Sequence, residues 1–167
     1  MSSSVAPSFW QGSWQDIFNL KQHLQDFLNS NLETIGQKLA LDQQSLKEIG
    51  HRDFAWQKAS DFYRVRVGSA YLFDLGAWHR SNQDYIKGTL TLISDRAADR
   101  VLDFGGGIGT HAIAAALCPQ VEQVVYCDLN PIHCNFVQSR AAKLGLSDKI
   151  SCSMEVSPTE VFDAIIC

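Results

Sequence analysis

One acid and four glycines share the stretch Asp103-Phe104-Gly105-Gly106-Gly107-Ile108-Gly109, and the apolar pair Val101-Leu102 leads into it. Glycine loses more backbone freedom on folding than any other residue, so such a cluster marks main chain that turns sharply or is closely approached. The chemistry on offer is the binding of a ligand against bare backbone, with a carboxylate at hand. A second acid, Asp128, closes a second apolar run, and Asn130-Pro131 follow it. His111 lies just behind the glycines and His133 just behind Asp128. Imidazole can move protons near neutrality, but the spacing of both is that of structural histidines on helices. No residue declares itself a catalytic base.

Phosphate-loop chemistry needs a Lys-Ser/Thr pair behind the last glycine, to reach the phosphates and the magnesium. Gly109 is followed by Thr110 and His111, and that reading fails. A dinucleotide loop needs G-x-G-x-x-G or its alanine variant. Counted from Gly105, the last position is Thr110. Counted from Gly107 it is Ala112, a relaxed match that begins too far into the following helix.

The elements that must position these residues are legible as patterns. Arg100–Phe104, a short apolar run that ends in glycines, predicts a buried parallel strand. A helix of small residues, 108–117, stops before Pro119. A second buried strand is expected over 121–129. The helix after it is capped by Asn130, opened by Pro131 and closed by Gly145 with Leu146. Residues 149–154 and 161–167 read as third and fourth strands. This alternation predicts an α/β, doubly wound parallel sheet, Rossmann-like, from about residue 99 on.

The preceding residues 13–98 read as an all-helical cap behind a loose, Ser-rich start at 1–12. Ser13 with Asp16 resembles a capping pair. Trp14, Ile17, Phe18, Leu24, Phe27 and Leu28 then recur on one helical face. Leu32, Ile35 and Leu39 mark a second helix. Aromatic residues thicken from Phe62 to Trp78. Ser81 is the expected N-cap of a helix carrying Tyr85, Ile86, Leu90 and Ile93.

Of the 167 residues, 46% are hydrophobic and 19% charged, with a net charge of −4. That balance suits a globular domain and argues against a nucleic-acid groove, which needs a basic footprint. No apolar run approaches the about 18 residues of a membrane span, and the first residues lack a secretory pattern. The cysteines, 118, 127, 134, 152 and 167, form no Cys-x-x-Cys pair. They read as free thiols on apolar stretches, with no metal site, in a cytoplasmic protein.

Asp103-x-Gly105-x-Gly107-x-Gly109 behind an apolar strand resembles the first motif of class I S-adenosylmethionine-dependent methyltransferases. Asp128 sits where that family has its ribose-binding acid, and Phe162-Asp163-Ala164-Ile165-Ile166 is similar to its fourth-strand motif. The resemblance covers about residues 98–167. It implies that the loop, with Phe104 and Gly106, holds the methionine part of the methyl donor. It further implies that the helix behind Gly109 receives the donor's carboxylate and that Asp103 serves the ammonium group. Asp128 would hold the ribose hydroxyls and Leu129 the adenine. An acidic chain with an aromatic cap implies a small-molecule acceptor, with Tyr63, Tyr71, Trp78 and His79 as a candidate lid. Asp163 reads as structural.

Two departures from the family pattern stand out. Only about seven residues, Glu155 to Val161, separate the third and fourth strands, fewer than the dozen or so of an ordinary crossover. The usual helix is expected to be reduced to a turn at Pro158, with Met154 and Glu155 as candidates to line the adenine end. The family sheet has seven strands in the order 3-2-1-4-5-7-6, and four are present. The sequence therefore reads as a donor-binding portion of a methyltransferase, with an open fourth-strand edge suited to self-association. A nicotinamide- or flavin-binding domain and a non-catalytic interaction module are the alternatives.

Overall fold

Ahead of the glycine loop, the hydrophobic pattern folds into helices. The computed structural model describes Trp10, residues 16–31, Thr34 and residues 61–167. Ser13, Trp14, Leu32, Ile35 and Leu39 lie outside the described residues. Helix α1 spans Leu20–Leu28. A π-helical turn, Phe62–Val67, leads to α2, Ala70–Ser81, and α3, Gln83–Arg96.

Helix α1 starts later than its pattern predicts. Ile17, Phe18 and Asn19 have φ of 59°, 55° and 58°, a left-handed turn that L-residues rarely adopt. The Asn19 N–H closes it on Asp16 Oδ1 at 2.9 Å. Burial of Ile17 and Phe18 holds the strained turn in place. Ser81 does not cap α3. Its hydroxyl donates back to the Ala77 and Trp78 carbonyls at 3.0 and 3.1 Å, so it finishes α2. The buried face of α3 is Ile86, Leu90 and Ile93. Tyr85 points outward, edge-on to Trp78.

Four apolar runs then form an all-parallel sheet. Its strands are β1 (Asp99–Phe104), β2 (Val121–Cys127), β3 (Ile150–Ser153) and β4 (Ala164–Ile166). The order is β3-β2-β1-β4, a partial Rossmann-like sheet whose order equals that of the first four strands expected above. Helix α4, Thr110–Leu117, connects β1 to β2, and α5, Pro131–Lys143, connects β2 to β3. Strand alternation separates two faces. Val101, Val124 and Tyr126 pack with the alanines of α4 and with Val137 of α5. The five residues Ala112–Ala116 are all buried, and the four alanines among them let α4 lie close to the strands.

The opposite face, Leu102, Val125 and Cys127, is covered by Val156 and Phe162. These belong to the link between β3 and β4, which contains no helix and turns at Ser157, whose carbonyl accepts from the Glu160 N–H at 3.0 Å. The link crosses the sheet as extended chain and supplies the cover a helix would give. It is fastened at the far end: Arg100 pairs with Glu160 and lies 4.6 Å over the Phe162 ring. Asp163 accepts from the Arg100 N–H at 3.1 Å, the structural role its position predicts. Among the cysteines, 118, 127 and 134 are buried, Cys152 is half-buried and Cys167 is exposed. No described helix is long and apolar enough to cross a membrane.

Candidate functional site

The strand order determines where a crevice opens. From β1 the chain winds to β2 and β3 on one side and returns to β4 on the other, which leaves a gap beyond the carboxyl ends of the strands. A cavity of about 490 Å³ lies there, bounded by the ends of β1, β2 and β4, the glycine loop and helix α2. That volume is in the range of small-molecule sites.

The loop is held from below by three side chains. Asp103, at the end of β1, is 1% exposed, and its Oδ2 accepts from the Ala112 N–H at 3.0 Å. Burial pushes its carboxyl up to about 7, against the opposing hydrogen bond from Ala112; the Asp128 charge adds to the rise. Tyr126 of β2 donates its hydroxyl to the Gly107 carbonyl at 2.6 Å. Asp128 accepts from the Gly107 N–H through Oδ2 at 3.0 Å and from the Asn130 N–H through Oδ1 at 2.8 Å. Burial would raise the Asp128 carboxyl, but the adjacent His133 imidazole and these two N–H donors outweigh it and hold it below the usual range. Each carboxylate oxygen keeps a lone pair for a ligand.

The glycines do different work. A Cβ on Gly106 would collide with Asp103 and with Tyr126 Cε2, 2.6 Å away. Gly106 is therefore required by the supports under the loop. Gly109, at φ +70°, would collide with Val137 of α5. It sets the contact between α5 and the start of α4 and does not line the cavity. Gly105, at φ +72°, faces open space and lines the cavity. It is where a ligand can lie against bare backbone. The N–H groups of Thr110 and His111 have no protein acceptor among the described residues, as expected for the first turn of a helix.

The other wall comes from α2. Tyr71, Leu75 and His79, one turn apart, share a face and line the cavity. Leu75 sits over Gly107, and the His79 ring lies 6.2 Å from that of His111. Tyr63, in the π-helical turn, lies 6.4 Å from Tyr71. Asn130 anchors this wall. Its Oδ1 accepts from the Ile132 N–H at 3.0 Å, capping α5 as predicted, and its Nδ2 donates to the Gly68 carbonyl at 2.8 Å. No known protein family's profile matches the chain, and no curated protein matches it.

Asp103, Phe104, Gly105, Gly106, Gly107, Asp128 and Leu129 thus meet at one cavity. Asp103 lies beneath the loop and fastens α4, a role its sequence position does not suggest. Met154 and Glu155 are exposed and do not line the cavity. Ser153 Oγ donates to the Glu155 carbonyl at 2.6 Å in a tight turn where the link begins. Of the candidate lid, Tyr63, Tyr71 and His79 reach the cavity. Trp78 faces outward, 44% exposed. His111 and His133, read from sequence as structural, both line the cavity. His133 Nδ1 is 3.3 Å from Asp128 Oδ1. Leu75 and Tyr126 were missed. The Tyr71-Leu75-His79 spacing was the available signal for Leu75.

Proposed function

We propose that the cavity binds S-adenosylmethionine and that the chain carries the donor-binding site of a class I methyltransferase acting on a small molecule in the cytoplasm. The observation that carries this reading is the sign of the lining. Two carboxyl groups, Asp103 and Asp128, face the loop, and no Lys or Arg lines the cavity among the described residues. A dinucleotide would set its pyrophosphate beside the Asp103 carboxyl, whereas Asp128 suits a ribose in either reading and does not discriminate. A ligand with a ribose, an ammonium and a sulfonium meets complementary groups.

The residues fit that ligand in detail. The spare lone pairs of Asp128 accept from the two ribose hydroxyls, and Leu129 packs on the base. Gly105 gives the amino-acid part access to the main chain. The unpaired N–H groups of Thr110 and His111 receive its carboxylate at the positive end of α4. Asp103 ionises when a cation approaches. The bound donor supplies an electrophilic methyl group on sulfur. The protein supplies position, and His79, Tyr63 and Tyr71 exclude water from the crevice.

Calorimetric titration tests the assignment. S-adenosylhomocysteine and S-adenosylmethionine are expected to bind with one site per chain, and NADH is not. Binding of NADH alone would replace this reading with the nicotinamide one. A stable oligomer that binds neither would favour an interaction module. The outer edge of β4, which pairs with no other strand among the described residues and where Ile165 is 63% exposed, is the surface we assign to self-association.

A further inference from the structure

The Thr89 hydroxyl oxygen lies 2.8 Å from the Ile86 carbonyl and 3.1 Å from His111 Nε2. A helical Thr hydroxyl that bonds back to the preceding turn has spent its one hydrogen there, and His111 Nε2–H then donates to the Thr89 oxygen and leaves the lone pair on Nδ1; this is the tautomer on which the proposal is built. A base held in one tautomer by a third group is the arrangement that general-base chemistry uses. Beside it, His79 is buried at 8% exposure, and its Nδ1 has no hydrogen-bond partner among the described residues. Both rings line the cavity, together with Tyr63, Tyr71 and Leu75.

From this geometry we propose that the His79–His111 end of the cavity binds the hydroxyl of a neutral aromatic acceptor, with His111 Nδ1 as the general base and Thr89 as its positioning residue. Two tyrosine rings, Tyr63 and Tyr71, tilted 37° to each other, and Leu75 offer an aromatic ring edge and face contacts. Burial keeps both imidazoles neutral at pH 7: His79 is lowered to about 4 by desolvation and then by His111 and Arg140, and His111 is lowered by desolvation. The inference rests on the methyl-donor reading above. In the transfer, the acceptor oxygen forms its bond to the methyl carbon as the carbon–sulfur bond breaks, and that electron pair stays on sulfur as a neutral thioether. The hydroxyl proton passes to His111 Nδ1 and from there to solvent.

The test uses the full chain with 4-nitrophenol as probe, whose visible absorbance reports its ionisation. Nitrogen-15 NMR of the unliganded protein is expected to show His111 as the Nε2–H tautomer. Thr89→Val should scramble that tautomer, and Thr89→Ser should restore it. The probe is expected to bind with or without S-adenosylhomocysteine, with a changed nitrophenolate band. His111→Phe and His111→Gln should each weaken it by about tenfold or more, the loss of one strong hydrogen bond. An Nδ1–H tautomer in the wild type, or unchanged probe binding in both His111 variants, would overturn the proposal. Probe binding that persists while S-adenosylhomocysteine fails to bind would overturn the donor assignment and leave an aromatic-hydroxyl site in place.

Discussion

Asp103 is the residue on which sequence and structure differ most in meaning. Its type and place suggest a ligand contact, yet it is buried under the loop and fastens the first turn of α4. A carboxyl whose folded value is about 7 and whose ordinary value is 3.8 makes the folded state hold an extra proton between those limits. Its contribution to stability is present at low pH and lost as pH rises through about 7. His23 and His79, both lowered from 6.5 to about 4, act in the opposite sense: stability rises with pH across their window. The comparison with Asp103→Asn isolates the acid. Thermal unfolding from about pH 4.5 to 8 should show the variant gaining on the wild type as pH rises, by a few kcal/mol at roughly 1.4 kcal/mol per pKa unit. A gap that does not change with pH would show that Asp103 does not titrate there. A cationic ligand should also bind more tightly as pH rises through the same range.

At the scale of elements, one loop contains glycines required by different neighbours. Gly109→Ala forces a positive-φ residue into Val137 of α5. It should cost about 3 kcal/mol or more in urea unfolding, from strain and overpacking together. Gly105→Ala places its Cβ more than 4 Å from any described residue beyond its chain neighbours. It should cost about 1 kcal/mol from backbone strain alone, while affinity for S-adenosylhomocysteine falls sharply. Equal destabilisation by the two would contradict this division. The β3–β4 link makes a related point. It has no helix; among the described residues Val156 and Phe162 pack over Leu102, Val125 and Cys127, and Val161 and Ile165 are exposed.

Across the whole molecule, Arg140 joins the N-terminal helices to the loop. It is fully buried, and its guanidinium donates to the Ile108 carbonyl at 2.7 Å and to the Ile17 carbonyl at 2.9 Å, with longer contacts to Thr110 and Phe18. Desolvation lowers it to about 9, which leaves it charged at neutral pH. Arg140→Met removes these bonds and strands two buried carbonyls, at about 2–4 kcal/mol. Hydrogen exchange should then accelerate over residues 17–28 before it does in the sheet; uniform acceleration would mean that Arg140 does not couple the two parts. The second whole-molecule prediction concerns the β4 edge. Sedimentation at rising concentration should show self-association, and Ile165→Lys should suppress it, because a charge beside an open strand edge opposes pairing. A wild type that is monomeric throughout would remove that surface from consideration.

The sequence by itself determined the local elements and their order. Apolar runs such as Val101-Leu102 and Val124-Val125, bounded by turn residues, read as buried strands, and Asn130-Pro131 with Gly145-Leu146 cap α5 through contacts within a few residues. Those signals are local, so they survive without knowledge of the fold. The strained turn at Ile17–Asn19 was not legible, because its support, Arg140, is more than a hundred residues away. The end of α2 at Ser81 was not legible either, since the same hydroxyl can bond forward as a cap or backward to the preceding turn. Which glycine serves a ligand and which serves packing was decided only when α5 brought Val137 against Gly109. The gathering of His79, His111 and His133 around Asp103 and Asp128 was likewise a tertiary decision. Their positions lie on three helices, and only the crossing of α2 over the carboxyl ends of β1 and β2 brings them to one cavity.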